Sequence, residues 1–591
     1  MVLWLPRIAA LPEHCVPHKY HVLPHTSNTI NTMAASSALA ELFHYVRHWP
    51  WLPALSGLLV TYFVLDALYQ VFLSPLRKIP GPWLARVSRL YKVWRVYDGG
   101  VHHKDIAAHQ KYGSAIRVGP SHVTVSDPAA IPLIFGISSK FLKVITPPSF
   151  IKAVPEMTEQ GDFYKPFGAR YEGTPWDTMF STRDPFYHRS LKVPVSQKFS
   201  MTSIRQFEPM ADECAEMFLA AMQELEGQTI DFGSWLQWYA FDVIAAMTFQ
   251  ARFGFMEKRT DVHGMIGAIE KATVYGTVIS QVPALHAWLL ENDAVLWLVK
   301  KLAPNTPNPL VHIIDIAKRE IERYESDQKR GARTDFLALL QADINSGKNK
   351  MTDRELLNHL SNNLLAGSDT TGISLRSIFY YLMRNPSTYR KLVAEIDEAD
   401  AKGALSEYVT YAECLQLQYL QAVIKEALRL HPAVQMPLER IVPEGGVTVC
   451  KVYLPAGTTV GVNPLVIHHN TDVFGADADK FRPERWIESP EAQLKAMERS
   501  FLAFGHGSRT CIGKNISILE MGKLVPQILR HFDVEWASDW KVHTYFFAKQ
   551  NPQPQLLKPV RPRTCLPMLE PSAKLIFARS AAHDREHATW R

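Results

Sequence analysis

The sequence has few cysteines, and their spacing excludes several classes of protein. Of the 591 residues only six are cysteine, and no two of them form a Cys-x-x-Cys pair. This pattern argues against a disulfide framework, a zinc ribbon, thioredoxin-like chemistry and the covalent attachment of a c-type haem. It fits a protein of a reducing compartment.

The sequence also lacks long runs of one charge. Charged residues make up 21% of the chain and the net charge is +6 at pH 7. Without basic runs we expect no nucleic-acid partner, although the mild positive charge suits an acidic partner or an anionic membrane surface. No repeat period stands out, and a hydrophobic content of 47% is enough for a large core.

Residues 1–48 lack the short apolar core and the small-residue cleavage site of a signal peptide. Met33 begins a Met-Ala-Ala-Ser-Ser segment that offers an alternative start. Residues 49–74 are nearly all apolar, with Asp66 as the single formal charge, and are long enough to cross a membrane as one helix. The Arg-rich and Lys-rich stretch that follows predicts that the body stays on the cytoplasmic side. A buried core helix is the alternative.

A glycine-rich loop at residues 504–513, Phe-Gly-His-Gly-Ser-Arg-Thr-Cys-Ile-Gly, places one cysteine just before a helical pattern. We interpret Cys511 as the ligand of a haem iron, because a helix N-terminus lowers the pKa of a thiol. Gly507 and Gly513 would let the backbone approach a flat macrocycle. Arg509 is placed to bind an anionic group such as a haem propionate. A buried free cysteine on a turn is the alternative.

This Phe-x-x-Gly-x-Arg-x-Cys-x-Gly pattern, which begins at Phe504, resembles the cysteine-ligand loop of the cytochrome P450 family, the haem-thiolate monooxygenases. Further motifs extend the resemblance over about residues 78–560. Residues 112–128 alternate apolar and polar side chains between Gly and Pro, a hairpin signature. They are similar to the small N-terminal sheet of fungal microsomal members, in particular of the pisatin-demethylase-like group.

A long helical pattern from about Asp353 to Leu382 contains Ala-Gly-Ser-Asp-Thr-Thr. Gly367 costs such a helix about 1 kcal/mol relative to Ala, and we expect the missing side chain to make room for a ligand. An acid beside an alcohol can relay protons into a dry pocket. The family uses such a pair to protonate iron-bound oxygen, so the resemblance assigns that role to Asp369 and Thr370. A polar helix stripe is the alternative.

Glu426 and Arg429 lie three residues apart on a predicted helix over 419–430, where they can pair. An isolated surface pair of this kind contributes less than about 1 kcal/mol. Residues 481–486, Phe-Arg-Pro-Glu-Arg-Trp, match the family segment that completes a Glu-Arg-Arg triad. The resemblance therefore adds Arg485, and the triad would brace the cysteine loop.

The resemblance implies further contacts to the haem propionates. Arg440 occupies a position at which family members often place a propionate-binding arginine. On a helix predicted to start near Pro185, His188 and Lys192 share a face. The family has Trp or His there, followed four positions later by Arg. Lysine keeps the charge but loses the bidentate fork, and a solvated basic face is the alternative.

The substrate is less clearly marked in the sequence. Residues 201–350 show amphipathic helical patterns and correspond to the mobile lid of the family, and residues 545–548 to a hairpin tip that enters the pocket. We expect Val434, Met436 and Phe547 to line that pocket. An aromatic, a terpenoid and a polyketide-like metabolite all remain open as substrates.

The resemblance implies a mainly α fold with a small β region, the cytochrome P450 fold, and the apolar stretch of residues 49–74 places one transmembrane helix before it. We expect an N-terminal extension of 1–48, an anchor of 49–74, a haem-thiolate domain of 75–560 and a disordered tail of 561–591.

The resemblance implies haem b as cofactor and the insertion of one oxygen atom into a lipophilic small molecule in fungal secondary metabolism. Hydroxylation, demethylation and epoxidation are all compatible with it. The sequence shows no flavin or nicotinamide domain, so electrons would come from a separate NADPH-cytochrome P450 reductase, with cytochrome b5 as an optional second donor.

We expect a single-pass protein of the endoplasmic reticulum membrane that faces the cytosol. A haem-thiolate isomerase or dehydratase is the nearer alternative, against which the Asp369-Thr370 pair speaks, and a non-catalytic haem sensor is the more distant one.

Overall fold

The structure is a computed structural model that describes residues 52–136, 162–290, 309–326, 333–535, 541–545, 547–551 and 576–579, together with 292, 294, 295, 297 and 301. The chain divides into two compact units, Met1–Tyr69 and Gln70–Arg591. The expected extension of residues 1–48, including Met33, lies outside the described residues.

Near the N-terminus, helix α1 (Leu52–Leu68) contains one acidic residue and is otherwise almost entirely apolar. A π-helical turn, Tyr69–Leu73, continues it. By length and composition Ala54–Leu73 could cross a membrane, and none of its most apolar window is buried. The predicted anchor therefore coincides with a candidate membrane span.

The second unit is mainly helical, as the sequence predicts. Its described α-helices are α2 (Trp83–Val87), α3 (Leu90–Tyr97), α4 (Val101–Tyr112), α5 (Ala130–Phe135), α6 (Pro185–Ser196), α7 (Met201–Ile204), α8 (Glu208–Glu224), α9 (Phe232–Phe249), α10 (Phe255–Lys258), α11 (Met265–Ile279), α12 (Ala284–Leu290), α13 (Pro309–Ser326), α14 (Phe336–Asn345), α15 (Asp353–Arg384), α16 (Pro386–Ala401), α17 (Tyr411–Cys414), α18 (Gln418–Leu430), α19 (Pro464–His468), α20 (Thr471–Phe474), α21 (Arg485–Glu488), α22 (Glu491–Ser500) and α23 (Lys514–His531).

The β structure is small. One sheet has four strands in the order β1 (Ala115–Gly119), β2 (His122–Val125), β8 (Thr459–Val462) and β5 (Leu438–Ile441). Only the β2–β8 pair is parallel within it. The other described sheets are two-stranded antiparallel pairs: β3 (Ala169–Tyr171) with β4 (Thr174–Trp176), β6 (Val447–Val449) with β7 (Val452–Leu454), β10 (Lys541–Tyr545) with β11 (Phe547–Asn551), and β9 (Phe532–Glu535) with β12 (Ile576–Arg579). The predicted hairpin of residues 112–128 is confirmed as β1 and β2.

Strand β12 belongs to the tail that we expected to be disordered. Its four residues pair with β9, because the backbone of β9 offers donors and acceptors along one edge. The expectation does not hold for these four residues. The rest of the tail lies outside the described residues, and the proposed division into domains stays a prediction.

The centre of the fold is α15, which is 32 residues long. A capping box starts it: the Thr352 side chain accepts from the Glu355 amide, and the Glu355 carboxylate accepts from the Thr352 amide. Its neighbour α9 is buried nearly all round, which differs from the amphipathic pattern expected for residues 201–350. The two helices form part of one large hydrophobic core.

The close packing of α9 on α15 explains a glycine that we had assigned to a ligand. A Cβ built on Gly367 would lie 2.8 Å from Cγ1 of Ile244 in α9. Protein side chain, and not a ligand, therefore fills the space beside Gly367. The approach of α9 offsets the cost of glycine in mid-helix.

Candidate functional site

The predicted cysteine lies at the head of a helix, as expected. Cys511 follows a single 3-10 turn, Gly507–Arg509, and comes three residues before the start of α23. The amide of Cys511 donates to the carbonyl oxygen of Phe504 at 2.8 Å. This bond closes residues 504–511 into a compact loop, which we call the cysteine loop.

Burial dominates the electrostatics of the Cys511 sulfur. It raises the pKa of the thiol, against the hydrogen bonds from the Gly513 and Lys514 amides and the positive charges of Lys192 and Lys514. The lowered pKa that the sequence led us to expect is therefore wrong for the protein alone. The surface of Cys511 is nevertheless accessible to a small molecule, although protein atoms lie around the sulfur. A metal ion bound to the sulfur would deprotonate it outright.

Gly507 and Gly513 have different surroundings. Gly507 has a φ of +71°, and a Cβ on it would lie 1.7 Å from the carbonyl oxygen of Phe135 at the end of α5. Its expected role against a macrocycle is wrong, because the backbone of Phe135 already fills that side. Of the described residues, only Cys511 would lie within 4 Å of a Cβ on Gly513, with its sulfur at 3.9 Å, so the macrocycle contact stays a prediction there.

Arg509 belongs to the cysteine loop and is half-buried, and part of its guanidinium makes no hydrogen bond to a described residue. Its Nη1 donates to the Met179 carbonyl oxygen at 3.1 Å. Its Nη2 is buried and has no hydrogen-bond partner among the residues that the structure describes. Burial, followed by the charge of Arg440, lowers the pKa of Arg509 to about 10. An unpaired donor in such a place suits an anion.

Arg440 and His188 lie close to this guanidinium. Nη1 of Arg440, on β5, donates to the Glu439 carbonyl oxygen at 2.8 Å and to the Tyr164 hydroxyl at 3.4 Å. Burial lowers the pKa of His188 to about 3, with further contributions from the charges of Arg509, Lys192 and Arg440. His188 is therefore neutral at physiological pH.

We call Arg509, Arg440, His188 and Lys192 the basic cluster. Within the described part of the chain, no carboxylate forms an ion pair with the three charged members. Although the charge of Asp184 acts on Arg509, no described carboxylate is paired with the cluster, and several unpaired positive charges held together indicate a binding site for an anion. The two propionates of a haem fit this arrangement.

Lys192 makes contacts that differ from the expected one. Its Nζ donates to the carbonyl oxygen of Ser508 at 2.7 Å and to that of Thr510 at 3.5 Å. Both carbonyls belong to the cysteine loop. The amine therefore binds the loop itself, on the two sides of Arg509.

The acid and the alcohol of α15 are adjacent in sequence but face different surroundings. The Thr370 hydroxyl donates back to the Ala366 carbonyl oxygen at 2.9 Å, and both residues are accessible although they lie in mid-helix. Asp369 is buried and accepts a hydrogen bond from Gln237 of α9. Burial raises the pKa of Asp369, against the charge of Arg376 and the Gln237 hydrogen bond.

Gln237 and Arg376 are residues of this site that the sequence reasoning missed. Arg376 donates from Nη2 to the Gln237 Oε1 at 2.8 Å, so the glutamine amide is held between the arginine and Asp369. One signal could have found Gln237, since it is a polar residue inside a strongly apolar helical stretch. The hydroxyls of Thr371 and Ser517, 2.9 Å apart, join α15 to the first turns of α23 just after Cys511.

The predicted triad is assembled in full. Arg429 donates to both carboxylate oxygens of Glu426, at 2.9 and 2.8 Å, and Nε of Arg485 donates to Oε1 at 2.8 Å. All three side chains have no exposed surface. Trp486 adds an indole N–H at 2.9 Å. Burial alone would raise the pKa of Glu426, but Arg429 and Arg485 together hold it below its usual range.

His468 connects this triad to the cysteine loop, and no sequence motif pointed to it. The His468 carbonyl oxygen accepts from Nη1 of Arg429 at 2.6 Å, and Nδ1 lies 2.8 Å from the Arg429 carbonyl oxygen. The Leu502 amide donates to Nε2 at 2.8 Å. Leu502 in turn accepts from the amide of Gly505 at 2.9 Å. The expected bracing of the loop by the triad thus has a physical route.

The three predicted pocket residues come together. Val434 and Phe547 form an isolated antiparallel bridge, and Met436 is buried in the same cluster. Aromatic side chains complete the cluster, among them Phe167 and Phe180 with ring centroids 5.4 Å apart. The sequence did not point to those rings. Phe546, at the expected hairpin tip, lies outside the described residues.

We predict that Glu426→Gln lowers the free energy of unfolding by about 3 to 5 kcal/mol, because it leaves two buried arginines without their carboxylate. The depressed pKa of Glu426 implies that its contribution is present above the unfolded value of about 4.3 and is lost as the pH falls through the folded value. Urea titrations at pH 7 and below pH 4 measure both effects.

The matched control is Glu398→Gln, which removes a carboxylate from an exposed pair with Lys402. We expect it to leave the urea midpoint unchanged. Equal losses in the two variants, or a loss in Glu426→Gln that does not shrink at low pH, would contradict the assignment.

Comparisons with known proteins agree with this geometry. The family model described as Cytochrome P450 matches residues 144–559. A pisatin demethylase of Fusarium vanettenii is 35% identical over 512 residues, which cover 86% of this chain and 93% of that protein. A cytochrome P450 monooxygenase of Aspergillus terreus is 35% identical over 78% of this chain and 90% of its own length. Another, from Penicillium aethiopicum, is 34% identical over 85% and 96%.

These matches bear out the family resemblance, the mainly helical fold and the monooxygenase class. Family membership also implies a redox partner and a lipophilic substrate. Neither the isomerase nor the sensor alternative gains support from them. The chain belongs to the cytochrome P450 family, as an oxygen-incorporating oxidoreductase that binds haem b through a cysteine thiolate.

Proposed function

We propose that Cys511 is the thiolate that binds the haem iron. The observation that carries this proposal is the cysteine loop, which presents an enclosed but accessible sulfur at the head of α23, beside a basic cluster that has no carboxylate partner among the described residues. Arg509, Arg440 and His188 would hold the propionates. Thiolate ligation supplies electron density to the iron and so favours O–O cleavage.

The proposed role of Thr370 is to present its hydroxyl group as a proton donor at the accessible face of α15. Its hydroxyl bonds back to Ala366 and lies on the side of the helix that protein does not cover. Burial raises the pKa of Asp369, so this carboxyl holds a proton more readily than an exposed aspartate does. Gln237 and Arg376 hold the carboxyl in its buried position. A proton would pass to Thr370 when the Asp369 side chain turns toward the accessible face of α15.

The proposed substrate is a lipophilic fungal secondary metabolite. The cluster of Phe167, Phe180, Val434 and Phe547 offers apolar and aromatic surface, which suits a flat hydrophobic molecule. One relative is named for pisatin demethylation. Aromatic, terpenoid and polyketide-like skeletons all fit such a surface.

We propose that an NADPH-cytochrome P450 reductase supplies the electrons, with cytochrome b5 as an optional second donor, at the cytosolic face of the endoplasmic reticulum. Besides the candidate span, α2 and α3 support a membrane location. Trp83, Leu90 and Trp94 are 70%, 69% and 60% exposed, whereas Lys92 and Arg95 of α3 are buried. An apolar outer face and a charged inner face suit a helix that rests on a lipid surface.

We expect Thr370→Ala and Asp369→Asn to consume NADPH while yielding less oxidised product, because proton delivery to the reacting oxygen fails. The predicted loss in product formed per NADPH is about 10²-fold. With reductase present, NADPH consumption, peroxide release and product are measured together. Ser377→Ala, which removes a buried hydroxyl of the same helix, serves as the control and should retain wild-type coupling.

The proposed orientation has its own test. In sealed microsomes that contain the full chain, external protease should digest the body without detergent, because Gln70–Arg591 would lie on the cytosolic side. An antibody against the body reports the digestion, and a lumenal protein serves as the control. Protection of the body until detergent is added would contradict the orientation.

A further inference from the structure

Lys192 contacts the cysteine loop in the structure, whereas its position in the sequence suggested a contact with a haem propionate. We propose that Lys192 is a positioning residue for the cysteine loop and that it does not bind a haem propionate. This inference rests on the proposed role of Cys511. The contacts that carry it are the hydrogen bonds from Nζ to the carbonyl oxygens of Ser508, at 2.7 Å, and Thr510, at 3.5 Å.

The two carbonyl groups lie in the part of the loop that precedes the proposed ligand Cys511. Ser508 and Thr510 flank Arg509, and Thr510 directly precedes Cys511. Among the described residues, Lys192 is the one side chain that donates to the Ser508 carbonyl oxygen. Ser508 is half-buried, and a carbonyl oxygen that is withdrawn from water is stabilised by such a donor. The amine therefore holds the backbone on both sides of Arg509 and next to the sulfur.

Lys192 is itself held on a fixed element. It lies in α6, which Asp184 caps through a hydrogen bond of 2.8 Å to the Phe186 amide. One turn before it, His188 is buried. The link from Nζ to the loop thus joins the cysteine loop to a helix that is 316 residues earlier in the chain, counted from Lys192 to Ser508.

The chemistry of lysine fits this role better than the role of propionate ligand. A lysine ammonium is a point charge with three rotatable donors, which can bond two separate carbonyls, whereas the planar fork of arginine matches a carboxylate. The other members of the basic cluster can bind the propionates without Lys192. Nη2 of Arg509 is an unpaired buried donor, and Arg440 and His188 lie beside it.

The positive charge next to the loop should also act on the haem. Reduction of the iron adds one negative charge to the site, so a nearby cation favours the reduced state. Removal of that cation should lower the ratio of reduced to oxidised protein at a given potential.

The test uses the full haem-loaded chain and the variants Lys192→Met, Lys192→Gln and Lys192→Arg. In Lys192→Met we expect the thiolate-type band of the reduced carbon monoxide complex to decay at least about threefold faster. The reduced-to-oxidised ratio should fall about three- to tenfold, where tenfold corresponds to about 59 mV for a one-electron couple. Lys192→Arg keeps the positive charge and should retain the reduced-to-oxidised ratio, whereas its planar fork fits the two carbonyls less well and its band should decay faster than that of wild type.

Lys192→Gln keeps neutral donors and guards against a folding failure of Lys192→Met. Lys192→Gln should lower the reduced-to-oxidised ratio, because the positive charge is lost. Its thiolate-type band should decay more slowly than that of Lys192→Met. The matched control is Arg189→Met, which removes an exposed positive charge from the same helix away from the loop. It should leave both measurements at the wild-type value.

Transfer of haem to an acceptor protein distinguishes the two roles of Lys192. A propionate ligand predicts that Lys192→Met loses haem at least about tenfold faster while its thiolate band stays stable, and that result would overturn the proposal. The loop role predicts the reverse, a labile band with haem retained. If wild type itself shows no thiolate band, the proposed ligand Cys511 fails, which is a separate result.

Discussion

The burial of one carboxylate between two arginines is the constraint on which the geometry of the site depends. Glu426 has no exposed surface, and neither have Arg429 and Arg485. A carboxylate in such a place is stable only while both partners are present, since an unpaired buried charge costs several kcal/mol. The triad therefore fixes α18 against α21. Through His468 and the amide of Leu502 it also fixes the start of the cysteine loop.

The other side of the loop meets an excess of positive charge. Arg509, Arg440 and Lys192 lie together, and burial lowers the pKa of Arg509, which shows that the site disfavours charge without a partner. A dianionic haem would relieve this repulsion. Cofactor binding and the stability of the region are then coupled, because whatever binds the folded state alone stabilises it. The triad thus holds the cysteine loop from one side, and a bound anion would stabilise the basic cluster at the other.

Much of this arrangement could be predicted from sequence, for a physical reason. Cys511, Glu426, Arg429 and the Asp369-Thr370 pair lie in short segments whose spacing is set by a helix turn or a tight loop. Gln237, His468 and Arg376 could not be found in this way, because each acts through an element distant in the chain. The contacts of Gly507 with Phe135 and of Gly367 with Ile244 belong to the same class. Local pattern cannot show which backbone or side chain packs against a given residue.

The most direct test of this account is the carbon monoxide difference spectrum of the reduced, haem-loaded full chain. Wild type, Cys511→Ala and, as a control, Cys450→Ala should be measured side by side, since Cys450 is another free cysteine. The account predicts a strongly red-shifted band in wild type and Cys450→Ala that is absent in Cys511→Ala. The same band in Cys511→Ala, or its absence from folded, haem-loaded wild type, would contradict the assignment of Cys511 as the iron ligand.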